Sequence, residues 1–193
     1  MINIAVKDVL RYLGYGQNTA DQRILEKINQ LNDEVAGIIL PKSVFKIFDC
    51  QVDEKSVTFG GFTIHSTHLA RHLNGCAKLA LFAVTLGAKV DTLIRRYSVN
   101  EMDKAVIADA VCTAMTEAFC NKVVAEIQAQ DELFNLQAIN RFSPGFGDFS
   151  ITHQRDVLAL LDCEKRIGLT LTDSDMLCPN KSVTAIIGFR SGA

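Results

Sequence analysis

Apolar residues recur along this chain in two rhythms, and each switch between them marks a new element. Asp8 to Leu13 begins a helical pattern that stops at Gly14-Tyr15-Gly16. A second helix, capped by Thr19, carries Ile24, Ile28, Leu31 and Val35 at helical spacing until Gly37 and Pro41 end it. Val44 to Val52 and Lys55 to Ile64 are rich in β-formers, with Asp53-Glu54 as a hairpin turn between them and Gly60-Gly61 as a bulge or bend. Ser66 stands where a helix cap belongs, before His68 to Leu73, and Asn74-Gly75 supplies the stop.

Lys78 to Thr85 is a continuous apolar run bounded by Gly75 and Gly87, which fits a buried strand, although the period alone also allows a helix. Val90, Leu93 and Ile94 then form a helical face. Met102 to about Gln130 is nearly free of helix breakers, and Val106, Ala110, Thr113, Glu117, Cys120 and Val124 form a ladder along one long helix. Thr152 to Cys163 reads as a shorter helix with Val157, Leu158, Leu160 and Leu161 inward, and Ser182 to Phe189 as a closing strand before a frayed Ser191-Gly192-Ala193 end. The class is α+β, without regular strand–helix alternation. No repeat, low-complexity tract or linker divides the chain, so residues 1–193 are expected to form a single domain.

A hydrophobic fraction of 48% with 22% charged residues suits one water-soluble core, and a net charge of -2 provides no attraction to nucleic acid or an anionic membrane. No run approaches the roughly 20 apolar residues that cross a bilayer, and the N-terminus lacks the blocks of a signal peptide, so a cytoplasmic location is expected. Cys50, Cys76, Cys112, Cys120, Cys163 and Cys178 contain no C-x-x-C pair and read as reduced, mostly buried thiols.

Recognition chemistry concentrates in Arg141-Phe142-Ser143-Pro144-Gly145-Phe146-Gly147-Asp148. Arg141 offers a planar fork suited to a carboxylate, Gly145 and Gly147 expose backbone, and Pro144 stiffens the approach. Glu117 is the second candidate, because a carboxylate in the otherwise small and apolar Cys112–Cys120 segment needs a partner. Asp148 reads as a cap for the helix beginning near Thr152, and Asp173 or Ser174 as a turn organiser. His65, His68 and His72 lack an acidic or cysteine companion, so no metal site is assigned. Nucleophile elbows, dinucleotide fingerprints and phosphate loops are absent from the sequence.

The Cys76–Gly87 block, Thr116-Glu117-Ala118-Phe119, the Arg141 loop, the Leu160–Ser174 run and Pro179–Ser182 together resemble the activation (reactivation) domain of cobalamin-dependent methionine synthase, in its free-standing form. The first sixty residues match only loosely. The resemblance implies a twisted antiparallel sheet with a long central helix and flanking helices. It also implies S-adenosylmethionine as the bound ligand. Arg141 would take its carboxylate, backbone around Ser143 and Gly145 its polar groups, Glu117 its positive charge, and Phe146 an apolar edge. The family pattern R-x-x-x-G-Y-P falls on Arg141, Gly145, Phe146 and Gly147, with Phe146 in place of tyrosine and Gly147 in place of proline. Asn135 stands six residues before Arg141, where the family carries a further glutamate.

In that family the activity is repair: oxidised cobalamin is reduced by an electron donor and remethylated from S-adenosylmethionine. This sequence has no D-x-H-x-x-G cobalamin signature. The resemblance therefore implies action in trans, on cobalamin carried by a separate methionine synthase or corrinoid methyltransferase, with an electron donor such as flavodoxin or ferredoxin. The alternative is a non-catalytic scaffold or cap for a corrinoid protein with a weakened ligand site.

Overall fold

A computed structural model describes residues 2–15 and 20–191. Helices α1 (Val6–Tyr12) and α2 (Gln22–Ile38) lead into β1 (Lys42–Val52), β2 (Ser56–Phe59) and β3 (Phe62–His65). Helix α3 (Thr67–His72), β4 (Lys78–Thr85), α4 (Lys89–Asn100) and α5 (Met102–Gln128) follow, then β5 (Leu136–Ala138), α6 (Gln154–Leu161) and α7 (Cys163–Ile167). A small pair, β6 (Thr170–Leu171) and β7 (Leu177–Cys178), precedes β8 (Ser182–Ser191). The main sheet has six strands in the order β3-β2-β1-β4-β8-β5, all antiparallel.

Both faces of this sheet are covered. Ala80, Phe82 and Val84 of β4 point into a core shared with α1, α2, α4 and α5, while Leu79, Leu81 and Ala83 point into a second core with α3, α6 and α7. That is why β4 reads as an unbroken apolar run: alternation appears only when one face meets water. β8, read as a closing strand, lies inside the sheet between β4 and β5.

Several local readings change in the folded chain. Thr19 lies outside the described residues, and the observed cap of α2 is Asp21, whose carboxylate accepts from the Ile24 amide at 2.9 Å. Gly37 does not stop α2, which ends when Ile39 turns extended. Gly60-Gly61 is a tight turn splitting the expected single strand into β2 and β3. Both glycines have positive φ (+56° and +82°), the pairing a two-residue hairpin loop requires. Ser191 belongs to β8, while Gly192 and Ala193 lie outside the described residues.

The long helix forms as expected; Ala110 and Cys120 of its ladder are buried, but the other four residues lie at the margin of the buried face. Val106 is exposed and Thr113, Glu117 and Val124 are half-buried, whereas Ala108, Val111, Cys112, Met115 and Val123 are buried. α5 is apolar around most of its circumference because it packs against α1, α2 and α4 as well as the sheet, so periodicity could not select one stripe.

Cys50 is half-buried, Cys178 exposed and the other thiols buried, all of them free. Burial pushes the thiols of Cys112 and Cys163 up to about 12. A disulfide reagent such as DTNB at neutral pH should therefore label one fast thiol, and Cys178→Ser should remove that phase. A fast phase surviving the substitution would show that the buried thiols open readily.

Candidate functional site

The chain after β5 continues along β8 without forming a regular strand. Phe142 exchanges two backbone hydrogen bonds with Ile186, at 2.9 and 2.8 Å, which fixes the start of the loop. Phe142 packs against the α3–α6–α7 core, while the neighbouring Arg141 reaches the opposite layer and pairs through Nη2 with Glu117 of α5. The two residues singled out separately in the sequence thus meet in space, 24 positions apart.

The pair is incomplete. Arg141 and Glu117 side chains keep 26% and 36% of their exposure, so solvent screens their attraction, yet Arg141 Nη1 is itself buried and has no hydrogen-bond partner among the described residues. A buried N–H left without an acceptor costs about 1–3 kcal/mol, more when charged. Arg141 therefore carries one unused, solvent-sealed donor beside its pair with Glu117. Cys120 lies beside this pair; burial raises its thiol to about 12, although the Arg141 charge opposes the shift.

The loop is tied internally. Gly145 donates its amide to Phe149 O at 2.7 Å, Phe146 donates to Ser143 O at 3.3 Å, and Phe149 donates to Phe146 O at 3.0 Å. The Gly145 amide expected to meet a ligand is thus already engaged. Ser143 keeps its hydroxyl, which makes no hydrogen bond among the described residues. Phe146 is 64% exposed at the tip, its ring 6.3 Å from Phe142, and Phe149 is fully buried beneath it.

Asp148 has a different role from the one expected. It does not cap the helical turn at Ile151–His153, whose cap is Ser150; its carboxylate crosses to the start of α3. There it accepts from Ser66 Oγ, from the Thr67 amide at 2.8 Å and from the His68 amide at 3.1 Å. The Ser66 hydroxyl, followed by the His68 and Thr67 amides, holds the carboxyl down at about 2. Because that value lies below the ordinary carboxylate range, the bonds are complete above that range and are lost only as pH falls through about 2. Gly147 presses so closely on α3 that a Cβ there would sit 2.0 Å from His68 Nδ1, and its φ of +59° already favours glycine. Both the φ and the close His68 ring favour glycine at this position.

The remaining candidates separate. Asn135 occupies a left-handed turn (φ +67°) before β5. Leu136 and Phe142, which bracket the intervening stretch, lie opposite Ser191 and Ile186, roughly 17 Å apart along β8. Asn135 is therefore not brought beside the Arg141 loop. His72 Nε2 contacts Asn140 O, and His68 Nδ1 lies 3.9 Å from Asp148. No group of three metal-ligating side chains occurs among the described residues. The turn at 172–176 is organised by Thr172, whose Oγ1 accepts from the Met176 amide at 3.1 Å and lies 3.0 Å from Ser174 Oγ, leaving Asp173 exposed.

Sequence reading missed Lys181. Its ammonium binds Asp109 at 2.8 Å and Thr113 at 2.9 Å, so Asp109, Thr113 and Glu117, four residues apart in turn, anchor Lys181 and Arg141 on one face of α5. A cleft of about 600 Å³ opens beside Lys181, between α4 and the β7–β8 connection, lined by Asp91, Arg95, Asp109 and Asn180. The Pro179–Ser182 block marked this segment, but its ion pair depends on contacts that spacing does not encode.

Among the described residues no helix is long and apolar enough to cross a membrane. No curated protein sequence matches the chain. Thirteen chains of solved structures do. One is a crystal structure of the MetH reactivation domain bound to AdoHcy, at TM-score 0.68 and 19% identity over 89% of this chain. The match spans 66% of that chain's length, and at this identity it establishes the common fold, mixed helix and antiparallel sheet. The sequence profile of the vitamin B12 dependent methionine synthase activation domain matches residues 65–192, which takes in β4, the whole of α5, the Arg141 loop and β8. The match begins where the resemblance strengthens, past the loosely similar first sixty residues, and this chain belongs to the family of vitamin B12 dependent methionine synthase activation domains.

Proposed function

We propose that this domain binds S-adenosylmethionine at the Arg141–Glu117 site and supports reductive methylation, and so reactivation, of cobalamin carried by a separate methionine synthase or corrinoid methyltransferase. The observation that carries the reading is the Arg141 guanidinium: one nitrogen is held by Glu117 and the other is buried without a partner. Such a fork is oriented before any ligand arrives, and its free N–H matches the carboxylate of an amino-acid ligand. AdoHcy in the MetH reactivation domain is the demethylated form of the same ligand class.

When bound, S-adenosylmethionine supplies a methyl group carried on a positively charged sulfonium. The residues of this chain bind and orient. Arg141 takes the carboxylate through Nη1, Glu117 balances positive charge from a helix face, and the free Ser143 hydroxyl stands two residues along the loop. Phe146 covers an apolar edge with its exposed ring and shields it from water. Fixing the ligand against an acceptor held by the partner makes a two-body encounter effectively unimolecular. An electron donor such as flavodoxin or ferredoxin completes the system.

Titration calorimetry of the purified domain with S-adenosylmethionine tests the first half of the reading. Micromolar binding is expected. Absence of heat at millimolar ligand would favour a scaffold that keeps the fold without the site. The second half is tested by adding the domain to a cob(II)alamin-loaded corrinoid protein with reductant and S-adenosylmethionine. Methylcobalamin should form, read by its absorption spectrum, only when the domain is present.

A further inference from the structure

We infer that Asp148 is a positioning residue: by clamping the first turn of α3 it sets the path of the Ser143–Gly147 backbone, and so the geometry of the ligand cradle. The functional consequence rests on the S-adenosylmethionine reading, whereas the mechanical part stands on geometry alone. Asp148 accepts from three donors, all supplied by Ser66, Thr67 and His68, some 80 residues away in sequence. Ser66 serves both sides. It is 2% exposed; its Oγ accepts from the Leu69 amide at 3.0 Å, and its one proton goes to Asp148. The early amides of α3 are thereby satisfied, Leu69 by Ser66 and the two before it by the cradle residue.

The anchor behind these donors is rigid. Leu69 of α3 and Leu73 just after it are fully buried in the second core. Gly147 lies against the His68 ring, and Phe149, also fully buried, returns its carbonyl to the Gly145 amide. The loop is therefore pinned at one end by the Phe142–Ile186 pair and at the other by Asp148 and Phe149. Only residues 143–147 lie between, too few to relax independently of their ends. Phe146 reaches solvent from a backbone that Asp148 holds in place. Releasing the clamp would let that segment move against Arg141, and a small misplacement of positioning groups weakens a site by more than one broken hydrogen bond does.

The test compares the wild-type domain with Asp148→Ala, Asp148→Asn and, as a charge control, Asp173→Ala on the exposed 172–176 turn. Amide exchange at Gly145 and Phe149 should quicken roughly tenfold in Asp148→Ala, with β4 amides unchanged, and the S-adenosylmethionine Kd should rise roughly tenfold or more. Asp148→Asn, which keeps one acceptor oxygen, should fall between, and it serves where the alanine variant does not fold. Asp173→Ala should match wild type in both readouts. Unchanged exchange at Gly145 and Phe149 in both Asp148 variants would overturn the inference, as would unchanged affinity despite faster exchange. A wild-type domain that binds no S-adenosylmethionine would instead overturn the ligand reading, with the exchange measurement still deciding whether Asp148 orders the loop.

Discussion

Arg141→Ala should weaken S-adenosylmethionine binding roughly 100-fold, because hydrogen bonds between a guanidinium and a carboxylate contribute about 1.5–3 kcal/mol each. The effect is large because the fork is positioned in advance: Glu117 fixes one nitrogen and burial removes water from the other. Folding stability should change little. The freed Glu117 carboxylate is 36% exposed and can hydrate, and a pair this open contributes little by itself. Glu117→Ala should behave differently, since it leaves a quarter-exposed guanidinium with neither nitrogen paired and also removes the negative charge facing the ligand. Calorimetry reports the affinity and urea unfolding the stability. Binding that weakens by less than about fivefold in Arg141→Ala would place the ligand carboxylate elsewhere.

Phe149→Ala should cost about 3–4 kcal/mol of folding stability and carry the ligand site with it. Phe149 is fully buried, its ring stacked at 6.3 Å on Phe142 and 5.4 Å from the ring of His153. Its removal leaves a cavity under the loop; the backbone bonds of residue 149 to Gly145 and Phe146 survive, but the packing that seats them is gone, so the loop loosens with the core. Phe146→Ala provides the contrast: that ring is 64% exposed, so stability should hold while affinity falls. Urea midpoints for the two variants, measured beside S-adenosylmethionine titrations, separate the roles. A loss below about 1 kcal/mol for Phe149→Ala would mean the loop collapses to fill the space and is not anchored there.

Much of the fold was legible because local rules and tertiary packing agree. Ser66 caps α3 as expected, accepting from Leu69, since a side-chain oxygen at that position satisfies an amide the helix leaves free. Lys78–Thr85 and the helix beginning at Met102 fall where composition placed them. Asp162, in the left-handed conformation (φ +52°), was not legible: it ends α6 and starts α7, splitting a helix read as continuous to Cys163. An aspartate tolerates that conformation without announcing it. Leu158 and Leu160 are half-buried, because the short helix turns only Gln154, Val157 and Leu161 fully inward.

By itself the sequence determined the class and the main element boundaries, because these rest on periodicity and caps that each residue carries locally, while the family showed only through the resemblance of its motif blocks. It also marked Arg141 and Glu117 as residues in need of partners. Only the tertiary structure decided that they pair with each other, that Asp148 clamps α3 and not the helix after it, and that Lys181 joins the same face of α5. Those outcomes depend on which strands lie side by side. The β4–β8 pairing brings residues near 140 and 186 against a helix formed far earlier in the chain, and long-range juxtaposition of that kind leaves no periodic trace for a sequence to display.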